Sequence, residues 1–225
     1  MTIRAVLFDW RGTLVTTLTE EEWVRESLQR LDRPASEETV DALAALLRGV
    51  EQELDGPGVD VDADLHARTY RSVLARLGLD DDFVEALYAV ESDPSLNLFA
   101  ADVEATLRRL RKLGLRTAVV SDVHVDIRPA FTAAGLADLV DVFSLSFEQG
   151  AQKPDPLMFG RTLTALGITA DEALMVGDRA RPDGGAVGSG LVTLLLPTLA
   201  RTTERRLHPV LALCESESSH ISHAR

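Results

Sequence analysis

The chain has a single cysteine, Cys214. It can form no intramolecular disulfide and no cysteine-based zinc site. No apolar run approaches the ~18–20 residues that would span a bilayer. The short apolar stretch at the amino end lacks a signal-peptide cleavage pattern, so a cytoplasmic, soluble protein with no membrane partner is expected. An excess of positive charge is also missing. The formal net charge is −13, which argues against a nucleic-acid partner, because nucleic acids and anionic membranes both attract basic surfaces. A small phosphorylated substrate stays compatible, because a few local Arg and Lys residues suffice to hold one. The five histidines do not cluster at ligand spacing along the chain. Apolar residues are plentiful, at 45% of 225. That supports a substantial core, either as one large domain or as a core carrying an insertion.

Residues 4–8 read as a buried strand that ends on Asp9, followed by Gly12 and Thr13. The next strand of that kind is 116–120. Between them the periodicity turns helical. Thr19 and Glu22 have capping-box spacing, with Trp23, Val24, Leu28 and Leu31 on one face. Ser36 can cap a second helix whose stripe is Val40, Leu43, Leu46, Leu47, Val50 and Leu54, broken by Gly56-Pro57-Gly58. A third helix is expected near 64–77 and a fourth from Asp80–Asp82 to Pro94. Four helices without a strand are too many for one crossover, so residues 15–96 are expected to form an inserted, all-helical cap. The core would then be residues 1–14 and 97–214, with a loose polar tail over 215–225.

From residue 97 strands and helices alternate as in a parallel sheet. Asp102 can cap a helix ending at Gly114, and the strand 116–120 runs into Ser121-Asp122. A helix near 126–134, a strand over 140–144 and the turn Lys153-Pro154-Asp155-Pro156 follow. A strand over 173–176 ends at Gly177-Asp178, a helix is expected over 183–189, and a last strand over 191–196. The class is α/β, with a Rossmann-like parallel sheet. In such sheets the carboxyl ends of the strands hold the chemistry, which would bring Asp9, Ser121, Lys153 and Asp178 to one edge. Taken singly, each has a plain structural reading as a helix cap, a solvated turn or a strand-to-helix turn. Their joint occurrence in this order points to a site.

The four pieces resemble the motifs of the haloacid dehalogenase superfamily of phosphatases and related hydrolases. They are Asp9-Trp10-Arg11-Gly12-Thr13, Val119-Val120-Ser121, Lys153 to Pro156, and Gly177-Asp178 with Asp183. The resemblance covers residues 1–14 and about 97–196, and the helical insertion is similar to that family's small cap. It implies a hydrolase in which Asp9 is the nucleophile that forms an aspartyl-phosphate. It also implies Mg²⁺ held by Asp9, the backbone carbonyl of Arg11 and Asp178, with Asp183 orienting the metal shell. Ser121, Asp122 and Lys153 would contact the transferring group, and Lys153 would offset the charge of Asp9.

One position departs from the pattern. Arg11 stands where the family's second aspartate acts as acid and base, and a guanidinium can do neither. Several readings stay open. One is a phosphohydrolase weakened by Arg11 or supplied with a proton by another group. His124 is the nearest candidate, although an exposed loop or cap histidine is the plainer expectation. Another is a 2-haloacid dehalogenase-type hydrolase, against which the Gly177-Asp178 strand end argues. A third is a catalytically impaired binding protein, in which Arg11 holds phosphate or pairs with Asp9. In a fourth, Arg11 binds the substrate anion directly, helped by Arg179 and Arg181. The cap arginines Arg25, Arg48, Arg68 and Arg71 are expected to face solvent.

Overall fold

A computed structural model describes residues 2–221, with side chains to residue 215. Five parallel strands form one sheet in the order β3-β2-β1-β4-β5. They are β1 (Ala5–Phe8), β2 (Arg116–Ser121), β3 (Val142–Leu145), β4 (Ala173–Gly177) and β5 (Val192–Leu195). β1 pairs with β2 and β4 in register, so Phe8 lies beside Val119 and Val176. β2 runs two residues and β4 one residue past the level of Phe8, so the three motif-bearing strands end close together at one edge.

The near-continuous apolar runs of β1 and β4 follow from burial on both faces. Val6, Phe8, Val119, Leu174 and Val176 point into one core with Val103, Leu107, Leu110 and Phe131. Ala5, Leu7, Ala118, Val120 and Met175 point into the other, with Met158, Phe159 and Leu163. Their alternation is the two-residue period of a strand.

The insertion after β1 holds α1 (Glu20–Arg30), α2 (Glu37–Arg48), α3 (Glu51–Leu54), α4 (Ala63–Ala75) and α5 (Asp81–Glu91). Thr19 and Glu22 close the expected capping box on α1. Ser36, Asp62 and Asp80 cap α2, α4 and α5 through their side-chain oxygens. Val24, Leu28, Val40, Ala44, Leu47, Leu74, Phe83, Val84 and Leu87 form a third apolar cluster, separate from the two beside the sheet. One expectation differs. The stripe from Val40 to Leu54 is not one helix. The α2 ladder tightens to an i→i−3 bond, Val50 N–H to Leu47 C=O, and stops at Gly49 before α3 begins. Within α2 the buried face is Val40, Ala44 and Leu47, and Leu46 lies exposed off that face.

The remaining elements return to the core: α6 (Val103–Lys112), α7 (Arg128–Ala133), α8 (Ser146–Gln149), α9 (Pro156–Leu166) and α10 (His208–Ile221). Asp102 stands at the start of α6 but does not cap it. Its carboxylate accepts the Leu207 N–H at 2.8 Å and ties the carboxyl-terminal segment to the core. The helix expected over 183–189 is a 3₁₀ turn, Gly184–Ser189. Three of its residues are glycines, and at Gly185 a Cβ would lie 2.3 Å from Pro154. Where a loose tail is expected from Glu215, α10 continues to Ile221, and positions 222–225 lie outside the described residues. No helix among the described residues is long and apolar enough to cross a membrane.

Leu87, buried at the centre of the cap cluster, gives a direct test of that core. Leu87→Ala is expected to cost about 2–5 kcal/mol in chemical denaturation. A cost near zero would show that the cap is loosely packed.

Candidate active site

Asp9 follows β1 directly, and its N–H donates to the Val176 carbonyl, extending the ladder by one residue. The next three side chains diverge. Asp9 points to the sheet's carboxyl edge. Trp10 is buried, with its ring 5.3 Å from Phe99 and 5.0 Å from Phe131. Arg11 reaches the cap. Asp9 lines a cavity of about 360 Å³ with Ser121, Asp122, Asp178 and Arg179 from the core and Asp55, Asp60, Tyr70 and Glu91 from the cap.

Lys153, one of two lysines in the chain, is fully buried at the floor of this edge. Its Nζ donates to Asp9 Oδ1 at 2.5 Å and to Asp183 Oδ1 at 2.6 Å. Burial disfavours its charge, but Asp9, Asp183 and Asp122 outweigh that and hold its pKa well above the ordinary lysine value. Asp183 Oδ2 accepts the N–H groups of Asp178 and Arg179 at 3.1 and 2.9 Å. Both Asp183 oxygens are thus engaged, and the residue braces the lysine and the loop after β4. Thr13 Oγ1 donates to Asp9 Oδ2 at 3.1 Å, and Thr198 Oγ1 donates to Asp178 Oδ2 at 2.7 Å. Thr198 was not singled out in the sequence. It follows β5, so the strand-end rule that finds the other residues would have found it.

The backbone is shaped around these carboxylates. Gly12 has φ +77°, and a Cβ there would lie 2.4 Å from Asp178 Oδ2. A Cβ on Gly177 would lie 2.3 Å from Asp183. Carboxylate oxygens of Asp9, Asp178 and Asp183 lie within 4.8 Å of one another. Three carboxylates face one ammonium. Burial, opposed by Lys153 and reinforced by Asp183 and Asp178, raises the pKa of Asp9 to about 6. This all-oxygen, charge-deficient set fits a hard divalent cation.

Asp122 lines the cavity beside Ser121. Its Oδ1 accepts the Lys153 N–H at 2.8 Å, so it positions the lysine loop. Ser121 ends β2, buried, on the cavity wall.

Arg11 neither pairs with Asp9 nor waits for an anion. Nη1 donates to Glu91 Oε1 at 2.5 Å, Nη2 to the Glu91 carbonyl at 2.7 Å, and Nε to Asn97 Oδ1 at 3.2 Å. Glu91 ends α5, and Asn97 lies where the chain returns from the cap. The guanidinium therefore clasps cap to core. Arg179 does the same from the other side, donating to both oxygens of Asp55 at 3.1 and 3.0 Å. Three of the cap arginines form exposed ion pairs, Arg25 with Glu37, Arg48 with Glu21 and Arg71 with Glu85.

His124 is not exposed. It is 4% accessible and stacks on His66 of α4, with centroids 3.3 Å apart and planes 6° apart. Histidines that are distant in sequence thus meet across the cap boundary. Asp60 Oδ1 lies 3.6 Å from His66 Nε2, and Glu91 Oε2 lies 3.2 Å from His124 Nε2. Burial lowers the pKa of both rings to about 3, with Arg11 adding to the effect at His124. Face-to-face stacking runs the ring lone pairs side by side rather than toward one point, which does not suit a shared metal.

Residues 3–187 match the model of the haloacid dehalogenase-like hydrolase family. The chain belongs to this family. It is a hydrolase, and its family and relatives include phosphatases. It is 30% identical over 198 residues to glyceraldehyde 3-phosphate phosphatase of Methanopyrus kandleri, covering 85% of this chain and 83% of that one. A magnesium-bound hydrolase from Bacillus subtilis shares the fold with a TM-score of 0.70 at 16% identity, over 96% of this chain and 100% of that one. L-2-haloacid dehalogenase of Xanthobacter autotrophicus shares it at 0.66 and 21%, over 89% and 80%. A fold common to both chemistries does not choose between them, so the site residues must.

Two outcomes test the site as described. Arg11→Met is expected to lower stability by about 2 kcal/mol, because it leaves Glu91 without its charged donors; an unchanged denaturation midpoint would contradict the clasp. The stacked histidines are expected to stay neutral from pH 8 to pH 5, with imidazole ¹⁵N shifts flat over that range. A titration step near 6.5, the ordinary histidine value, would contradict it. The sign for stability follows. The unfolded chain takes up protons on these histidines below about 6.5 and the folded chain does not, so this pair weakens the fold as pH falls toward 3.

Proposed function

We propose that the chain is a magnesium-dependent phosphatase of small phosphorylated metabolites, acting through an aspartyl-phosphate on Asp9. The observation that carries this is the cluster itself: Asp9, Asp178 and Asp183 converge, yet among the described residues one buried cation, Lys153, meets them. A dehalogenase attacking carbon has no need of the second carboxylate, Asp178, held opposite Asp9 by Thr13 and Thr198.

Asp9, Asp178 and the Arg11 carbonyl would hold the Mg²⁺, with Asp183 behind them. When bound, the ion would neutralise charge between the phosphate and the carboxylates. The protein's own groups do the rest. Lys153 fixes Asp9 Oδ1 and lowers the repulsion a phosphate dianion meets at this edge. Ser121, at the end of β2, supplies a hydroxyl toward the transferring group. Asp183 and Asp122 hold the lysine from its side chain and its backbone. The cap closes the cavity, excludes water and keeps the electrostatics strong. A cavity of about 360 Å³ suits a small phosphorylated metabolite. The similarity to a glyceraldehyde 3-phosphate phosphatase supports short-chain phosphate esters as the substrate class.

Arg11 does not bar this chemistry. The metal contact expected at that position is a backbone carbonyl, and the guanidinium points away, to Glu91. Its cost is the missing acid–base group, which is typically worth ~10²–10⁴-fold.

A panel of small phosphate monoesters with Mg²⁺ tests the reading. Turnover is expected, with loss of at least about 10²-fold on Asp9→Asn and on chelation by EDTA. Chloride release from a 2-chloroacid that persists in EDTA, with no phosphate release from any ester, would overturn it.

A further inference from the structure

The proton that Arg11 cannot supply must come from elsewhere in the cavity, and among the described residues the cap places two carboxyls there outside any ion pair with Arg or Lys, the exposed Glu51 and the half-buried Asp60. Asp60 lies in a 3₁₀ turn, Val59–Val61, and lines the same cavity as Asp9, Ser121 and Asp178. That turn is fastened to the core on both sides of its loop. Gly58 N–H donates to Gln152 Oε1 at 2.7 Å, and the Asp60 carbonyl accepts Ser146 Oγ at 2.7 Å. Gln152 is the residue before Lys153. The turn is thus held in place relative to the phosphate-binding edge.

Each cation near Asp60 is committed to another carboxylate: Arg11 to Glu91, Arg179 to Asp55, Lys153 to Asp9 and Asp183. The Asp60 carboxyl makes no hydrogen bond within the described residues. Its Oδ1 lies 3.6 Å from His66 Nε2 and 3.9 Å from His124 Nδ1. Both rings are neutral, so neither stabilises a negative charge there as an imidazolium would. Glu91 is bound by Arg11. His124 holds its ring neutral at physiological pH and has no labile extra proton to give.

We propose that Asp60, a cap residue, is the general acid and base of the phosphatase reaction, in place of the aspartate that Arg11 replaces. This rests on the phosphatase reading above. In the first step Asp9 attacks phosphorus, the bond from phosphorus to the ester oxygen breaks, and the Asp60 carboxyl gives its proton to that oxygen, releasing an alcohol. In the second, the Asp60 carboxylate takes a proton from water as the water attacks phosphorus. The bond from Asp9 to phosphorus breaks, phosphate leaves, and both carboxyls return to their starting states.

The surroundings suit a carboxyl that gives and regains a proton near neutrality. Burial first, then the charges of Glu91, Asp122 and Asp55, raise the pKa of Asp60 to about 7, and Arg11 opposes them only in part. General acids work best when their pKa lies close to the working pH.

The test uses leaving groups of different need. β-Glycerol phosphate expels an alkoxide that requires a proton, and p-nitrophenyl phosphate expels a phenolate that does not. kcat/KM reports the steps through departure of that group. In the full-length protein with Mg²⁺, Asp60→Asn is expected to lower kcat/KM for β-glycerol phosphate by ~10²–10⁴-fold, and for p-nitrophenyl phosphate at least about tenfold less. The fall of wild-type kcat/KM for the alkyl ester above pH 7 should vanish in the variant. Asn keeps the shape and breaks no hydrogen bond of the Asp60 side chain, and a thermal melt checks folding. Equal losses on both substrates, or no loss, in an enzyme whose activity depends on Asp9 would overturn the role of Asp60 alone. A folded wild-type protein inert toward both esters would overturn the phosphatase reading, and this proposal with it.

Discussion

A single buried ammonium holds this site together. Lys153 bridges Asp9, at the end of β1, and Asp183, in the loop after β4. Removing one partner of such a pair costs about 3–5 kcal/mol, because it strands a buried charge. The constraint spreads from there. Asp183, pinned by the lysine on one oxygen, uses the other to gather the Asp178 and Arg179 N–H groups, and that fixes where the Asp178 carboxylate stands. Asp122 fixes the lysine's own backbone. Gly12 and Gly177 are glycines because the carboxylates occupy the space a Cβ would take.

Around this fixed floor, the cap is attached by contacts that can open. Arg11 to Glu91, Arg179 to Asp55, Gly58 to Gln152 and Asp60 to Ser146 all cross the boundary. These are polar and stand beside the His66–His124 stack, whereas the cap's own apolar cluster is separate from the two beside the sheet. Such a division suits rigid-body closure over a substrate, a motion usually in the microsecond-to-millisecond range. Arg11 in place of the first motif's second aspartate thus has two consequences. It removes an acid from the core side, and it adds a cationic latch to the cap side that pairs with Glu91 and leaves Asp60 without an Arg or Lys partner.

Much of this was legible in the sequence. Buried strands on both faces read as apolar runs, and carboxyl ends of parallel strands converge whatever the connecting segments do. Asp9, Ser121, Lys153 and Asp178 could therefore be placed from order alone. Capping boxes such as Thr19–Glu22 are local and were readable for the same reason. What was not legible depends on docking between distant segments. His124 reads as a loop histidine because its partner His66 is far away in sequence and meets it only when the cap folds down. Asp60 and Glu91 look like ordinary acidic helix-end residues until the cap sets them against Arg11. Asp102 has a helix cap's position, yet its oxygen is claimed by the Leu207 N–H arriving from the other end of the chain. The break in the stripe at Gly49 is a local competition between 3.6-residue periodicity and a tightening last turn, which pattern matching does not weigh.

The most direct measurement is a crystal structure of the protein soaked with Mg²⁺ and beryllium fluoride, which mimics a phosphoryl group on a carboxylate. The expected result is fluoroberyllate bonded to the Asp9 carboxylate, with Lys153 Nζ and Ser121 Oγ against its fluorides and a cation touching both Asp9 and Asp178. An Asp9 left bare while Lys153 stays closed on it, with the anion bound elsewhere in the cavity, would contradict the central role assigned to that ammonium and its two carboxylates.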